Sequence, residues 1–530
     1  MKRLLPVMLG ILQAACAAAP NVETPPAGLT FVHMNDTYRV GAVEDGHAGG
    51  LSRVTTVVRE LQAEGRDVRV LHGGDFLYPS LESSLWNGMQ MVDAMNFIDN
   101  IAPLYVVAGN HEFDSRTSNA LIDAVRGSKF DWIGDNYRFV TGDEAVDSAL
   151  VIAFTAQHGD KTIGVFSLTL HADDGGNGRD YVLIDKDFIA SATAAIENLE
   201  AVGVDAIIGL THLHLWQDLR IAELREQHPK FVFIAGGHDH EPEYSPLDDK
   251  NAAVFKGASN ARVIWTIDLN FDATGAPSVK ATKRQLDESV AVDSDYLVLE
   301  NKWRSQLLDV LPFLEARVGT AAVPLDAREV TVRSEESSWA NFIVDQMRTA
   351  FGDPIADLAF INGGTLRIDD YIAGDILFED IGRTFGFSSH LRHTTLTGGE
   401  FRKVMEAGYR GFGGTQGFFP QVSGFRVCVD RHRKEGDRIV SLQVPDGDLW
   451  TEIDHDKVFS LVVPDFLYGG GDGYEVPHDR PVSRPGSELI YLVLDGILDA
   501  QSRGEMVGKA VDPEDPRYHE LLEAKQPCFR

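Results

Sequence analysis

The sequence predicts an α/β fold made of two main domains. The chain has 530 residues, of which 44% are hydrophobic, so we expect a folded protein that is too long for one ordinary core. From residue 28 to about residue 270, short apolar runs alternate with segments in which apolar residues recur at helical spacing. This alternation is typical of a layered α/β domain, whose ligands bind on loops beyond the carboxyl ends of the strands.

Six apolar runs and two amphipathic stretches define the elements expected in this first block. The predicted strands cover residues 29–32, 68–71, 104–107, 163–166, 206–210 and 231–234, and the predicted helices cover residues 51–61 and 188–199. Continuous apolar runs of this length are typical of strands that are buried on both faces. We therefore expect a first domain over residues 28–292.

The rest of the chain follows a different pattern. Apolar residues at helical spacing predict a connector helix within residues 293–318. Residues 319–512 are expected to form a second, smaller α/β domain, which begins with a helix over residues 339–351 and continues with short strands and glycine-rich loops. Residues 513–530 form a charged tail.

The charge of the chain excludes some partners. There are 80 acidic and 48 basic residues, which gives a formal net charge of −32. An excess of this size repels nucleic-acid backbones and anionic lipids, so the protein is not expected to bind nucleic acid. An anionic small-molecule substrate must then be bound through local positive charge, from metal ions or from a few arginines.

The first 19 residues are typical of a secretory signal. Met1, Lys2 and Arg3 form a basic head, a short apolar stretch follows, and small residues surround Cys16. This predicts an exported, periplasmic or envelope-associated protein. Cys16 is either the lipidated cysteine of a lipoprotein or part of an ordinary cleavage region, and lipidation would be the only membrane anchor.

The two remaining cysteines, Cys428 and Cys528, allow two interpretations. In an exported protein they form a disulfide that ties the tail to the second domain. Alternatively, one is a buried thiol and the other a terminal thiol. The absence of a C-x-x-C pair argues against a structural zinc site.

Five of the predicted strands run into loops that carry metal-binding residue types. The loops contain, in chain order, Asn35-Asp36-Thr37-Tyr38, Gly73-Gly74-Asp75, Gly109-Asn110-His111-Glu112-Phe113-Asp114, Thr211-His212 and Gly237-His238-Asp239-His240. Carboxylate and amide oxygens mixed with imidazole nitrogens favour Mn, Zn, Fe, Co or Ni over Ca or Mg. Two such ions, about 3.5–4 Å apart, form a clamp for in-line displacement at phosphorus, in which a shared water becomes the nucleophile.

An aspartate is suited to bridge two cations, and Asp75 is the predicted bridge. The ordered set of motifs resembles that of the calcineurin-like metallophosphoesterases, and specifically the 5′-nucleotidase/2′,3′-cyclic phosphodiesterase family. The resemblance covers residues 29–476 and implies a four-layer α/β/β/α first domain. It implies one metal ion on Asp36, Asp75 and His240, with Tyr38 in place of the usual histidine, and a second ion on Asp75, Asn110, His212 and His238.

The same resemblance implies that His111 is the catalytic histidine and that Asp114 orients it. Asn110 is implied to contact the substrate as well as a metal ion. An aspartate three residues beyond a histidine can hold the ring and favour its positive form. His72 and His214 match no ligand position, and we interpret His214 as a neighbour of the site or a surface residue.

Tyr38 departs from the family pattern, which has D-x-H at this loop. A phenol ligates well only as phenolate, which a strongly acidic ion such as Fe(III) favours. The alternative is that Tyr38 only forms hydrogen bonds and leaves a looser first site. The sequence does not choose between these two roles.

The second domain resembles the substrate-binding domain of the same family. Asn362-Gly363-Gly364-Thr365-Leu366-Arg367 matches its N-G-G-x-x-R motif, which implies that Arg367 binds the phosphate and Asn362 the nucleoside. Phe385 and Tyr474 match two base-stacking aromatic residues, which implies a sandwich around a nucleobase. Glu335 lies where the family often has an arginine, so a diester, a sugar nucleotide or a non-nucleotide ester is also plausible.

Together these patterns predict an exported phosphohydrolase that uses two metal ions (Mn, Zn, Co or Fe) and cleaves phosphate esters of nucleotides. Two alternatives remain. The first is a ligand-binding protein on the same scaffold, with catalysis lost through the changes at Tyr38 and Glu335. The second is a hydrolase of non-nucleotide phosphate esters or of sulfur esters.

Overall fold

The computed structural model describes residues 29–151, 154–174, 176, 178–411, 415–522 and 527–529. The predicted signal segment and Cys16 therefore lie outside the described residues. Within the described ranges, every helix is too short or too polar to cross a lipid bilayer.

The first block contains two six-stranded sheets. The first sheet has the order β14-β13-β1-β2-β3-β4, and the second has the order β11-β12-β10-β9-β7-β6. The strands are β1 (Leu29–Met34), β2 (Asp67–His72), β3 (Leu104–Val107), β4 (Asp131–Ile133), β5 (Tyr137–Phe139), β6 (Phe154–His158), β7 (Lys161–Thr169), β8 (Val182–Ile184), β9 (Ala206–His212), β10 (Phe231–Gly236), β11 (Tyr244–Ser245), β12 (Ala253–Lys256), β13 (Val263–Phe271) and β14 (Pro277–Gln285). The short strands β5 and β8 pair with each other.

Helices cover the outer faces of these sheets, which gives the predicted α/β/β/α layers. They are α1 (Leu51–Ala63), α2 (Leu81–Trp86), α3 (Met89–Asp99), α4 (Asn119–Gly127), α5 (Glu144–Asp147), α6 (Phe188–Ala201) and α7 (Leu215–Ala222). One apolar cluster joins residues of both sheets with α1 and α3, and a second joins the far face of the second sheet with α6 and α7. All six predicted strands and both predicted helices of this block are confirmed.

Helix α8 (Ser294–Val310) leads from the first block to the second. Asp293 caps it, because its carboxylate accepts the N–H groups of Asp295 and Tyr296. Tyr296 and Leu307 are its buried residues. The helix thus occupies the first part of the predicted connector and ends at Val310.

The second block is built on two four-stranded sheets. Their orders are β20-β25-β17-β21 and β24-β23-β22-β26, and two short pairs, β15-β19 and β16-β18, accompany them. The strands are β15 (Arg317–Thr320), β16 (Leu325–Asp326), β17 (Leu358–Asn362), β18 (Tyr371–Ile372), β19 (Asp375–Leu377), β20 (Leu391–Thr397), β21 (Pro420–Ser423), β22 (Arg426–Val429), β23 (Ile439–Asp446), β24 (Leu449–Glu452), β25 (Val458–Pro464) and β26 (Tyr518–Glu520). The helices are α9 (Glu329–Val332), α10 (Ser338–Thr349), α11 (Phe378–Thr384), α12 (Gly398–Glu406), α13 (Asp465–Tyr468) and α14 (Leu489–Ser502).

The tail is held on the second block rather than being a free charged end. Strand β26 pairs in parallel with β22, and Cys528 forms a disulfide with Cys428 of that strand. Arg517, just before β26, forms an ion pair with Asp345 of α10. Of the two interpretations of these cysteines, the structure shows the disulfide.

We expect this disulfide to stabilise the second block, because it closes a loop with a sequence separation of 100 residues. Replacing both Cys428 and Cys528 by Ser should lower the free energy of unfolding by about 2–4 kcal/mol, through the greater entropy of the open unfolded chain. Denaturant unfolding of the variant and of wild type, each with and without reductant, measures this. Identical midpoints for all four samples would contradict the prediction.

Candidate active site

The candidate metal ligands come from strand ends that meet at one edge of the two sheets. Strands β1, β2 and β3 are parallel neighbours in the first sheet, and β9 and β10 are parallel neighbours in the second. Their carboxyl ends therefore point the same way within each sheet. Asp36, Asp75 and Asn110 follow β1, β2 and β3, His212 ends β9, and His238 and His240 follow β10.

Asp36, Asp75 and His212 form the centre of the site. One potential ligand atom from each lies within 4.8 Å of the others. All three side chains are fully or almost fully buried. Buried carboxylates require a compensating positive charge. The oxygen atoms of the two aspartates and a nitrogen of His212 are close enough together to bind one metal ion.

Asp75, the predicted bridge, contacts side chains from both groups of candidate ligands. Its Oδ1 accepts the backbone N–H of His111 at 2.7 Å. Its Oδ2 lies 3.4 Å from the Tyr38 hydroxyl and 3.3 Å from His212 Nε2. One carboxylate oxygen therefore lies between two sets of side chains, which we name the first donor set (Asp36, Tyr38 and His240) and the second donor set (Asn110, His212 and His238).

In the second donor set, Asn110 joins the two histidines. Its Oδ1 is 3.1 Å from His212 Nε2 and 3.1 Å from His238 Nδ1. His212 Nδ1 donates to the carbonyl of Gly73 at 2.6 Å, which leaves Nε2 as the nitrogen that faces Asp75. Burial opposes protonation of His212, but the Asp75 carboxylate outweighs it and raises the pKa of His212 to about 9.

In the first donor set, the Tyr38 hydroxyl lies among three candidate ligands. It donates to Asp36 Oδ1 at 3.2 Å and is 3.1 Å from His240 Nε2. His240 Nε2 is itself 3.2 Å from Asp36 Oδ1. Burial, together with the nearby Asp36 and Asp75 carboxylates, raises the pKa of Tyr38 well above its ordinary value. Ligation as phenolate would therefore require a strongly acidic cation, and the two roles predicted for Tyr38 both stay open.

The chemistry of these donors fits the metal ions that the sequence predicts. Each donor set combines carboxylate or amide oxygens with imidazole nitrogens, as transition-metal sites do, whereas Ca and Mg sites use oxygen almost exclusively. Asp36 and Asp75 supply two buried negative charges that two cations would neutralise. The residues therefore fit divalent metal ions that accept mixed oxygen and nitrogen ligands.

Three of these residues adopt a backbone conformation that costs energy. The φ angles of Asp36, Asp75 and His238 are 52°, 62° and 73°, in the left-handed region that non-glycine residues rarely occupy. Each such residue costs on the order of 1–3 kcal/mol, and such residues cluster at functional sites. The surrounding hydrogen bonds must hold these three loops in place.

Glu112 supplies part of that support, and sequence reasoning missed its role. Its carboxylate accepts the backbone N–H groups of Asp75, Phe76 and Leu77 at 2.8–3.0 Å, and that of Gly109 at 2.5 Å. One buried side chain thus ties the loop after β2 to the loop after β3. Its place inside the G-N-H-E-F-D motif was the available signal.

Lys256, at the end of β12, supports the loops of the second sheet, and sequence reasoning missed this role as well. Its Nζ is fully buried, lies 2.9 Å from an Asp218 oxygen and 2.8 Å from an Asp239 oxygen, and donates to the carbonyls of Leu213 and Gly237. The lysine therefore joins the loop after β9 to the loop after β10. Beside these loops, His214 packs its ring 4.4 Å from that of His238, as expected for a neighbour of the site.

His111 and Asp114 lie together as predicted. His111 Nδ1 is 2.8 Å from Asp114 Oδ2, across a single 3₁₀ turn (His111–Phe113). His111 Nε2 faces the centre, 3.9 Å from Asp75 Oδ2 and 3.4 Å from Arg367 Nη2. The carboxylate of Asp114 thus holds one ring nitrogen, while the other points to the donor sets.

Arg367 reaches from the second block to this centre. Its guanidinium lies between the rings of Tyr38 and Phe387, at 5.5 and 5.4 Å from their centroids. Its Nε donates to the carbonyl of Gly364 at 2.7 Å, and among the described residues its Nη1 has no hydrogen-bond partner. The N-G-G-x-x-R motif therefore does place a cation beside the candidate metal centre.

Phe385 and Tyr474 do not form the predicted aromatic sandwich in this arrangement of the chain, and stacking of a nucleobase between them stays a prediction. Phe385 is 7% exposed and packs in the apolar core of the second block. Tyr474 is fully buried in another core cluster, where it packs on Phe360 and donates its hydroxyl to the carbonyl of Phe418. Neither ring offers a free face to a ligand, because both rings pack against apolar side chains of the core.

Asn362 likewise binds protein groups here. Its Nδ2 donates to Asp472 at 2.7 Å, and its Oδ1 accepts the hydroxyl of Thr365 at 2.6 Å. The side chain is almost completely buried. Its predicted contact with a nucleoside stays a prediction.

Arg333, two residues before Glu335, lies beside the first donor set. It is 5% exposed, and its Nη1 lies 3.3 Å from His240 Nδ1. Glu335 is exposed. Arg333 therefore brings a positive charge next to the first donor set, and the predicted effect of Glu335 on substrate binding stays a prediction.

Fold and site together define a metal-dependent phosphoric ester hydrolase. Residues 29–242 match the calcineurin-like phosphoesterase family, and residues 317–479 match the 5′-nucleotidase C-terminal domain. The chain therefore belongs to the calcineurin-like phosphoesterases that carry a 5′-nucleotidase C-terminal domain, which confirms the resemblance drawn from its motifs.

Known proteins resemble the chain over most of its length. It is 24% identical to a human 5′-nucleotidase, over 86% of each protein. Its fold is similar to that of a 5′-nucleotidase precursor from Thermus thermophilus, with a TM-score of 0.78, 23% identity, and coverage of 94% of this chain and 100% of the other. A sulfate thiohydrolase from Thermus thermophilus has a TM-score of 0.71 at 16% identity, with coverage of 95% and 98%.

The role of Tyr38 can be decided by spectroscopy. If Tyr38 ligates iron, iron-loaded protein should show a visible charge-transfer band from tyrosinate to Fe(III), and Tyr38→Phe should abolish it. Absorption spectra of the two loaded proteins, with iron content measured in parallel, make the comparison. Equal spectra at equal iron content would leave Tyr38 only its hydrogen bonds to the carboxylates.

Proposed function

We propose that the protein is an exported phosphohydrolase that uses two metal ions and cleaves phosphate esters of nucleotides. The observation that carries this proposal is the position of Asp75 Oδ2, which lies between Tyr38 of the first donor set and His212 of the second. His111 and Arg367 face the same position from outside the donor sets. This arrangement combines a place for two cations with two further groups that bind or stabilise negative charge.

Each part of the site has a chemical role in this proposal. Two bound divalent cations would polarise phosphoryl oxygens and lower the pKa of a water molecule between them. The Arg367 guanidinium, with its free Nη1, binds a non-bridging phosphoryl oxygen. His111 Nε2, held by the Asp114 carboxylate at Nδ1, donates a hydrogen bond to charge that develops on the phosphoryl group or the leaving oxygen.

We propose nucleotides as the substrate class because relatives that match over most of their length are named 5′-nucleotidases. The effect of Glu335 on the choice of ester stays open, whereas the buried Arg333 guanidinium supplies positive charge beside the first donor set. With Phe385 and Tyr474 buried, the half-buried ring of Phe387, 5.9 Å from the His111 ring, is the aromatic group beside the phosphate position.

The two alternatives receive less support. A ligand-binding protein without activity is disfavoured because His111, Asp114 and Arg367 are assembled around the donor sets. Hydrolysis of sulfur esters is suggested by a similarity of fold alone, at 16% identity. The buried carboxylates, the histidine held by Asp114 and the arginine argue against a protein that only binds a ligand, and they fit hydrolysis of nucleotide and non-nucleotide esters alike.

Export is proposed from the first 19 residues together with the disulfide. Disulfides persist in oxidising compartments and are rare in the cytosol. The bond between Cys428 and Cys528 is therefore compatible with a protein of the periplasm or cell envelope. Fractionation of cells that express the full chain tests this, and recovery of uncleaved protein only in the cytosol would contradict it.

Removal of metal should abolish activity reversibly. We expect protein treated with a chelator to lose hydrolysis of a nucleoside monophosphate, and activity to return with Mn, Zn, Co or Fe, because the donors suit these ions. Metal content and rate are measured together across a titration. Full activity in protein shown to be free of metal would contradict the proposal.

A panel of substrates tests the role of His111. His111→Asn should lower kcat by about 10²–10⁴-fold on nucleoside monophosphates, because general acid–base groups contribute on that order. Metal binding should be nearly unchanged, since the ring of His111 belongs to neither donor set. His158→Asn is the matched control, because His158 bonds to Asp67 at the amino end of β2, the end opposite to the loop that carries Asp75.

The same panel includes bis-p-nitrophenyl phosphate, a nucleotide sugar and a thiosulfonate. Turnover by wild type on the nucleotides, lost in His111→Asn, supports the proposal. Turnover that is confined to the thiosulfonate, or that His111→Asn leaves untouched on every ester, would overturn it.

A further inference from the structure

A carboxylate from the second block contacts the first donor set at the ring nitrogen of His240 that faces away from Asp36 and Tyr38. Glu329 begins the short helix α9 and is 7% exposed. Its Oε1 lies 2.5 Å from Nδ1 of His240, whose other nitrogen, Nε2, faces Asp36 and Tyr38. The two ring nitrogens of His240 therefore have different partners, a carboxylate of the second block on one side and the donor set on the other.

Glu329 is itself fixed on every side. Its Oε1 also accepts Nη2 of Arg333 at 2.9 Å, and its Oε2 accepts the hydroxyl of Ser259. Its backbone N–H donates to Asp369 Oδ1 at 2.7 Å. The direction in which Glu329 holds the His240 ring is thus set by contacts to both blocks.

Asp369 extends this connection to the loop after β1. Its Oδ2 accepts Asn260 Nδ2 at 3.0 Å, and its Oδ1 pairs with Arg262. Asn260 in turn accepts the backbone N–H of Tyr38 at 3.2 Å and donates its own N–H to the carbonyl of Asp36 at 2.8 Å. The second block therefore holds the backbone of Asp36 and Tyr38 through Asn260, and the ring of His240 through Glu329.

Glu329 contacts the first donor set directly, through Nδ1 of His240. The ring nitrogens and amide oxygen of the second donor set contact Gly73, Asp75 and one another. Loss of the Glu329 carboxylate should therefore act on the first set, where it removes the partner of His240.

The chemistry of histidine ligands explains why this contact matters. A carboxylate that accepts the outer N–H of a ligating imidazole fixes its tautomer and orientation and increases its basicity, and loss of such a partner typically costs 10–100-fold in metal affinity. Here that partner comes from the other block. Binding of a cation at the first donor set and seating of the second block are therefore linked, and each must strengthen the other to the same extent.

We propose that Glu329 is a positioning residue that couples the seating of the second block to the cation affinity of the first donor set. This rests on the proposed function in so far as it takes the two donor sets to be metal sites. It adds that the first site is completed by a residue from across the boundary between the blocks, the carboxylate of Glu329 on His240.

Calorimetric titration of metal-free full-length protein with Mn²⁺ or Zn²⁺ tests the coupling. Wild type should bind two ions. Glu329→Ala should bind one of them with 10–100-fold lower affinity and the other as in wild type. Glu329→Gln keeps an oxygen that accepts the His240 N–H and should recover part of the lost affinity. Glu335→Gln, which changes an exposed glutamate six residues later, is the matched control and should bind as wild type does.

Hydrogen exchange of residues 325–333 provides the reciprocal measurement. Added cation should slow exchange of this segment in wild type and in Glu335→Gln, but not in Glu329→Ala, because the link between metal and segment is then cut. Glu329→Ala also removes a partner of Arg333 and could fail to fold. In that case both measurements are made on Glu329→Gln, for which we expect a lower affinity for one of the two ions only.

Two results would overturn the proposal. One is that each of the two ions binds the folded Glu329 variants as tightly as it binds wild type. The other is an equal loss at both sites, which indicates general destabilisation rather than positioning of His240. Neither measurement uses a substrate, so a failure of the coupling is distinguishable from a failure to hydrolyse nucleotides.

Discussion

The burial of two carboxylates beside each other is the constraint on which the rest of the site depends. Asp36 and Asp75 are almost completely inaccessible to water, and the Tyr38 hydroxyl lies within hydrogen-bond distance of both. Withdrawing two like charges from water is costly unless cations or donors compensate them. The imidazoles, the phenol and the backbone N–H groups around them are arranged to do so, and the site is complete only with positive charge at its centre.

Holding these charges requires loops whose own conformations are unfavourable. The positive φ angles at Asp36, Asp75 and His238 persist because groups outside the donor sets fix the surrounding backbone. Glu112 gathers four N–H groups on one side, and Lys256 joins two loops on the other. Both are buried charged residues, and their partners are mostly backbone groups or carboxylates. They therefore fix the conformation of the loops that carry the candidate ligands.

Local patterns predicted six strands and two helices of the first block and the loops that follow five of those strands, because hydrophobic spacing and the residues that follow it are adjacent in sequence. Shorter strands such as β4, β5 and β11 were not predicted. The meeting of Asp36, Asp75 and His212 also followed, since parallel strands deliver their ends to one edge. The contacts of Glu329 and Lys256 could not be read in this way. Glu329 and His240 are 89 residues apart, in different blocks. Phe385 and Tyr474 carried the right motif, but only the packed core shows that their rings are buried.

The bonds that run from Asp369 to Asn260 and Arg262 also bear on how such proteins diversify. Two-domain enzymes are often imagined as modules that recombination can exchange to give new specificities. In this chain a transplanted second block would arrive without the partners that seat it on the loop around Asp36, unless the recipient already carried an amide and a guanidinium at the matching positions. Exchange of a block would therefore preserve the loop around Asp36 only where the residues on the two sides of the boundary still match.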